Sequence, residues 1–379
     1  MAQRKKTGVE LTMPNLEAKS KLTAVEFAIL LVGVQMNVFA LSFAAALETA
    51  RGQAWLSVII AGGVYYLAAW MMIRLGQRYP QKTIVEYMPE IWGKYLGGTM
   101  VWWFIVAVTL QLSASLQAFS REVTFFLFDR TPYEIIIITF VVAAAYCAVQ
   151  DLGTIIRVTQ IVFCIGSFLS IALLLLSLST FQITNVLPLW QGNWSQLAGG
   201  VYDDWMLFAG YSIIFILMPQ VSEQKRLGRT VGLTFGYCTV LFTFIILTII
   251  GSQGINSALK SPFPLVTVIR AVEIPGTFLE RLDTYLIVIK VIILYISVYT
   301  YLYVLAETLR RLYDYRDRRP FVLLLLPVIF FISDALHTAW LFALAIQIAN
   351  AMGLIESFAL IPLTLFLARR KKCANKQAL

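Results

Sequence analysis

The chain has 379 residues, 59% of them hydrophobic and 13% charged, with a net charge of +9 and a mean hydropathy of +0.77. Soluble domains carry roughly 25% charged residues, so this composition excludes an ordinary soluble protein and points to a polytopic membrane protein. Four cysteines with no CxxC pair exclude a disulfide framework or a zinc site as the organising feature, and in so apolar a chain the positive charge reports orientation in a bilayer rather than nucleic-acid binding.

The chain opens on a basic arm, residues 1–21, without an A-x-A-like cleavage site, and the apolar stretch after it is too long for a signal-peptide core. It reads as a cytoplasmic tail before a retained first helix. A membrane span needs about 20 apolar residues, and ten segments qualify: 24–47, 53–74, 97–119, 132–149, 156–180, 201–219, 230–252, 281–306, 320–335 and 337–368. The third could continue as a broken helix through "REVTFFLF", because "FDRTP" is the first clear stop. The predicted organisation is a tail over 1–21, a ten-helix membrane domain over 22–372 and a second tail over 373–379. An even number of spans places both tails on one side. Of the 30 Lys and Arg residues, 23 fall on the side of the tails and 6 on the other, with Lys290 inside a span. That bias makes the tails cytoplasmic. The link "QKTIVEYMPEIWGKYLGG" is amphipathic and reads as an interfacial segment anchored by Tyr87 and Trp92.

No GxSxG, HExxH or P-loop pattern is present, so the expectation is a protein that is not an enzyme and carries neither cofactor nor metal. The lone His337 has no histidine or cysteine partner nearby in sequence and reads as an interfacial residue. Gly232 and Gly236 have GxxxG-like spacing, which helix packing explains. The informative segment is span six, "VYDDWMLFAGYSIIFILMPQ", short, with Gly210 near its middle and Pro219 at its end. Interrupted spans in matching halves mark transporter-type midplane sites, although a glycine there also permits close helix packing. The matching segment, span one, carries Gln35 and Asn37 at mid-span but neither Gly nor Pro after Asn37. Span three carries Thr109, Gln111, Ser113, Ser115 and Gln117. Span eight carries Lys290, seven residues from Asp283 on one side and from Ser297 on the other, about 10 Å along a helix in each direction. Two readings stand open. Lys290 snorkels toward water or pairs with Asp283, or it is a fixed internal cation facing Ser297.

"RYPQKTIVEYMPEIWGKYLGG", "DRTPYEIIIITFVVAAAYCAVQDLGTIIRVTQ", "NVLPLW", "FAGYSIIFILMP" and "IPGTFLERLDTYLIVIK" together resemble the permease-like B subunits of bacterial spore germinant receptors, in order from about Leu22 to Lys372. That family is similar to the amino acid/polyamine/organocation transporters. The resemblance implies an all-α fold of ten helices in two inverted five-helix repeats, with helices one and six broken. It implies a pocket lined by Asn37, Val38, Phe39, Ala40, Leu41 and Ser42 of span one, Leu110 and Ser113 of span three, Phe208, Ala209, Gly210 and Tyr211 of span six, and Leu294 of span eight. It also implies a receptor A subunit and a lipoprotein C subunit as partners in the spore inner membrane, and a nutrient such as an amino acid as trigger. In related transporters, helices one and eight frame a cation site, for which Lys290, Ser297 and Asp283 are the coupling candidates here. Two departures stand out: Val38 to Leu41 replace the glycines usual in the break of helix one, and Lys290 stands where many members have an aromatic residue. A proton-coupled amino acid permease, or an ion-conducting or scaffolding subunit, shares this fold, and fold does not fix function.

The charge asymmetry makes one direct prediction. Cys373 should react with membrane-impermeant thiol reagents from the cytoplasmic side only; its labelling from outside in intact cells would exclude the ten-span arrangement.

Overall fold

The computed structural model describes residues 22–36, 43–128, 130–188, 193–272 and 282–377, with side chains as far as residue 370. The arm 1–21 and positions 37–42 of span one lie outside the described residues. The chain is almost wholly helical; among the described residues the only β pairing is one parallel bridge between Leu22 and Val221.

The helices, in order, are α1 (Ala24–Gln35), α2 (Ala44–Ala50), α3 (Ala54–Gly76), α4 (Ile84–Trp92), α5 (Lys94–Phe126), α6 (Tyr133–Ala148), α7 (Leu152–Leu176), α8 (Trp194–Asp203), α9 (Trp205–Phe208), α10 (Ile214–Leu217), α11 (Leu227–Gln253), α12 (Ile255–Ala258), α13 (Pro264–Arg270), α14 (Leu282–Leu312), α15 (Arg319–Ala335), α16 (Ala339–Ile355) and α17 (Ile361–Gln377). Among the described residues seven continuous helical stretches are long and apolar enough to cross a membrane: Ala44–Gly76, Lys94–Phe126, Leu152–Thr180, Trp194–Gln220, Leu227–Gln253, Leu282–Leu312 and Ala339–Arg370; Ala24–Gln35 and Tyr133–Ala148 are shorter apolar helices.

Local chemistry sets many of these ends. Thr23 and Glu26 form a reciprocal capping box at the start of α1, and Thr83 and Glu86 form another at α4. The Asp151 carboxylate accepts from Thr154 N at 3.2 Å and opens α7. Gly93 (φ 85°) and Gly254 (φ 71°) supply the left-handed turns that separate α4 from α5 and α11 from α12.

Several spans differ from their predicted form. α5 is unbroken to Phe126 and carries "REVTFF" as regular helix. Span six begins earlier, at Trp194, and is assembled from α8, α9, a 3₁₀ turn over Ala209–Ile213, α10 and a last turn at Met218–Gln220. The last span is interrupted by a π turn over Glu356–Leu360, and its helix continues past 372, the predicted end of the membrane domain, to Gln377. The α4 link packs closely on the bundle: Tyr87 is 2% exposed, and Trp92 Nε1 donates to Thr364 Oγ1 of α17 at 2.9 Å. Its apolar face is buried against α5 and α17.

α14 is the mast of the bundle. Every residue from Ile296 to Leu309 is buried, as expected for a helix enclosed on all sides, and α1, α5, α6, α7, α13 and α15 pack around it. A second axis joins α3 to α11. A Cβ on Gly62 would fall 2.0 Å from Thr239 Oγ1, and one on Gly232 would fall 3.1 Å from the Tyr66 hydroxyl. Gly236 meets nothing within 4 Å, so the GxxxG-like pair acts through one glycine. α7 exposes Ile161, Ile165, Phe168 and Leu175, the apolar belt that a bilayer covers.

The ends of the bundle are chemically distinct. At the basic end, the Leu22 backbone pairs with Gln220 O and Ser222 N, both at 2.9 Å, tying the entry of α1 to the exit of span six. Nearby, Arg311 bonds Glu307 at 2.7 Å and Glu86 at 2.9 Å, fixing α4 to α14. Burial works against ionisation of Glu86, yet hydrogen bonds from Thr83 and Arg311 outweigh it and hold the carboxyl below its ordinary range. Such a group contributes stability that is present above the unfolded glutamate value, about 4.3, and lost as pH falls through the lower folded value. Thermal unfolding of Glu86→Gln should therefore lose less stability than the wild type between about pH 5 and pH 3; equal losses would refute the lowered value.

Candidate functional site

The described part of α1 ends at Gln35, where the Met36 N–H turns back to Val32 O and Val34 O. Ser297 Oγ of α14 lies 3.2 Å from Gly33 O and 3.3 Å from Val34 O and donates to them. Close approach makes this reach possible: a Cβ on Gly33 would fall 2.7 Å from Ile296 Cγ2. Opposite, span six changes from α to 3₁₀ at Ala209. A Cβ on Gly210 would lie 2.9 Å from Gln35 Cγ and 3.1 Å from Val34 Cγ1. The glycine thus serves close packing at the point where span six leaves α-helical geometry and touches α1.

The implied pocket residues are distributed unevenly. Ser113 of α5 and Leu294 of α14 are buried, Leu110 is half-buried, and Ala209 and Gly210 sit in the 3₁₀ turn. Phe208 faces elsewhere: its ring stacks on Phe235 at 5.8 Å and on Tyr65 at 6.1 Å, in the α3–α11 wall. Tyr211 is tied to the last span through Ser357, and its hydroxyl also accepts from Trp205 Nε1 at 3.1 Å. Trp205 in turn lies flat on Gly353, where a Cβ would fall 1.7 Å from Cζ2. Asn37 to Ser42 lie outside the described residues.

The arrangement leaves polar atoms buried without protein partners: both amide atoms of Gln35, Ser113 Oγ, Ser212 Oγ, Gln117 Oε1, Thr300 Oγ1 and Tyr301 Oη. They come from α1, α5, span six and α14; α14 packs against α1, α5 and α10, and α1 packs against the 3₁₀ turn of span six. Gln35 is 1% exposed and Tyr301 fully buried. Buried polar groups are normally satisfied, so this set is what a bound molecule or ordered water would complete. Gln35 and Gln117 were visible as polar residues within apolar runs. Ser212 and Tyr301 carried no such signal, because both residue types are ordinary in a membrane helix.

Lys290 corrects the sequence reading most sharply. Its ammonium is bonded to Glu122 of α5, 168 positions away; the lysine side chain is 5% exposed and the glutamate 1%. It neither snorkels to water nor faces Ser297, which is turned to α1. Asp283 is buried in the first turn of α14. The pair therefore clamps span eight to span three, rather than span eight to span one.

The spore germination protein family model matches residues 21–339. Among individual proteins, spore germination protein YndE of Bacillus subtilis (strain 168) is 27% identical over 278 residues, covering 73% of this chain and 77% of that one. Among solved structures, MhsT in complex with L-phenylalanine superposes with a TM-score of 0.63 at 14% identity, covering 92% of this chain and 89% of its own. Mhp1, a nucleobase-cation-symport-1 family transporter in a closed conformation with bromovinylhydantoin bound, gives 0.58 at 14% identity over 93% and 80%. At such identities the structural likeness concerns the fold alone.

The ion pair yields a test. Lys290→Met strands Glu122 without its cation and is expected to cost about 3–5 kcal/mol, read as a lower unfolding midpoint in detergent and lower abundance. Lys290→Met combined with Glu122→Leu should recover most of that loss. A single variant as stable as the wild type would mean that Glu122 does not need the lysine.

Proposed function

Because the chain belongs to the spore germination protein family, we propose that it is a nutrient-sensing membrane subunit of a spore germinant receptor, binding a small molecule such as an amino acid and performing no covalent chemistry. The observation that carries this reading is the junction of α1 and span six. α1 and the irregular span six meet there at Gly210, and Gln35, Ser113 and Ser212 carry buried polar atoms without a hydrogen-bond partner. Interrupted helices at membrane depth are the recurrent way to expose backbone and side-chain polar groups to a ligand.

The same reading takes the ten apolar segments as ten spans in two inverted halves, with both termini cytoplasmic, in agreement with the 23-to-6 distribution of basic residues. The membrane would be the spore inner membrane, and the partners an A subunit and a lipoprotein C subunit. The fold shared with a symporter favours a second reading, a proton-coupled permease.

Gly210→Leu is the discriminating change. The added side chain must displace Gln35 and Val34, at a cost of about 1–3 kcal/mol. Spores carrying it should lose the nutrient response while protein level stays near normal by immunoblot. Normal germination would place the site elsewhere. Robust amino acid uptake by the wild-type protein alone in proteoliposomes would favour the permease.

A further inference from the structure

The end of the bundle opposite the basic one holds a cavity of about 520 Å³, between α2, the end of α5, the start of span six, the loop before α13 and α16. It is separate from the α1–span six junction and within the size range of small-molecule sites. Its polar wall is unbalanced. Glu48, Asp203 and Asp204 contribute carboxylates, and Arg121 is the basic residue among them. Arg121 is already held: it donates to Leu336 O at 2.7 Å and His337 O at 2.8 Å, with its guanidinium over the Phe342 ring at 4.7 Å. Asp203 accepts from the Thr49 hydroxyl.

Asp204 is the unusual member. Its residue is 0% exposed, and neither carboxylate oxygen has a hydrogen-bond partner. The Ser57 hydroxyl, which bonds Ala54 O at 2.9 Å, is the one neighbouring protein donor that can turn to the Asp204 carboxyl instead. Asn350, on the same cavity wall, is 3% exposed, and its Oδ1 also lacks a partner. All three unpartnered atoms are oxygens, and with Asp204 ionised all three are acceptors, a set that donors and positive charge complete. Phe263, Phe342 and Met206 supply an apolar and aromatic wall beside them, the surroundings that stabilise an organic cation. Among the described residues no three acidic, histidine or cysteine groups lie close enough to share a metal ion.

We propose that this cavity is a second binding site, distinct from the α1–span six junction, for a small molecule with a primary ammonium and an apolar body. The ammonium is held by Asp204 with Asn350, its positive charge is balanced by Asp203 and Glu48, and the apolar body lies against Phe263 and Phe342. A primary ammonium offers three donors and no acceptor, which matches a wall whose free groups are all acceptors. A charge-assisted bond to a buried carboxylate is among the stronger hydrogen bonds, which makes Asp204 the determinant of affinity.

The test uses the full-length protein in lipid nanodiscs and calorimetric titration with 2-phenylethylammonium, compared with 2-phenylethanol and 3-phenylpropionate. The ammonium compound should bind saturably, and the alcohol and carboxylate at least about tenfold more weakly. Asp204→Asn, which keeps the shape, should weaken the ammonium compound by at least about tenfold; Asn350→Leu should weaken it by a smaller factor. Gly210→Leu should leave it unchanged, which separates this site from the junction. Absence of saturable binding would overturn the proposal, as would equal binding of the alcohol, which reports apolar partitioning only. Unchanged affinity in Asp204→Asn would overturn it too. Should Asp204→Asn fail to fold, the comparison of ammonium with alcohol on the wild type, and a weakened affinity in the exposed Glu48→Gln, decide the matter.

Discussion

A backbone carbonyl or amide left unpaired in hydrocarbon costs several kcal/mol, and that constraint governs how this bundle is built around the end of α1. The described helix ends at Gln35, with the Met36 N–H turned back to Val32 O and Val34 O. A further donor to its last carbonyls comes from a neighbouring element at close range. Ser297 provides it, and it can do so only because Gly33 lets α14 approach to the point where Ile296 would collide with any side chain. The helix that supplies this donor is enclosed: α14 is buried without a gap from Ile296 to Leu309.

The same helix meets a second demand on its other side. Lys290 points to α5 and meets Glu122, so one helix is fixed to α1 by a neutral hydrogen bond and to α5 by an ion pair. The two contacts differ in energetic character. The serine bond relieves a backbone need. The ion pair removes two charges from water, a cost of several kcal/mol for each ion that their attraction can at best offset. Its value is one of specificity: α14 cannot rotate or slide against α5 without exposing an uncompensated charge to an apolar interior.

Polar chemistry in the rest of the bundle is concentrated in two places. At the junction of α1 and span six, unsatisfied amide and hydroxyl groups of both hydrogen-bonding senses are buried together. At the opposite end, the unsatisfied atoms of Asp204 and Asn350 are acceptors only. A mixed donor–acceptor set suits a neutral or zwitterionic partner, and a set of acceptors suits a cation. Their separation along span six places two chemically different environments on one irregular helix.

Hydropathy alone determined where the chain is apolar and helical: α3, α6, α11, α14 and α15 begin and end within a few residues of the segments read from the sequence, apart from the longer end of α14. It also marked Gly210 and Gln35 as unusual, because a glycine or an amide inside an apolar run is a local signal. The partner of Lys290 was not legible. Glu122 lies 168 positions away, and helical spacing relates a residue only to neighbours three, four or seven positions along its own helix. Nor could the sequence tell that Phe208 turns to the α3–α11 wall while Gly210, two residues on, faces α1, since the switch to 3₁₀ geometry at Ala209 resets the direction of each side chain. Asp203 and Asp204 read as an ordinary acidic pair at a span end; only packing buried one and left the other half-exposed. Periodicity records which face of a helix is apolar. The tertiary structure decides what that face meets, because pairing between charges and the satisfaction of backbone groups depend on distances across helices that no single segment encodes.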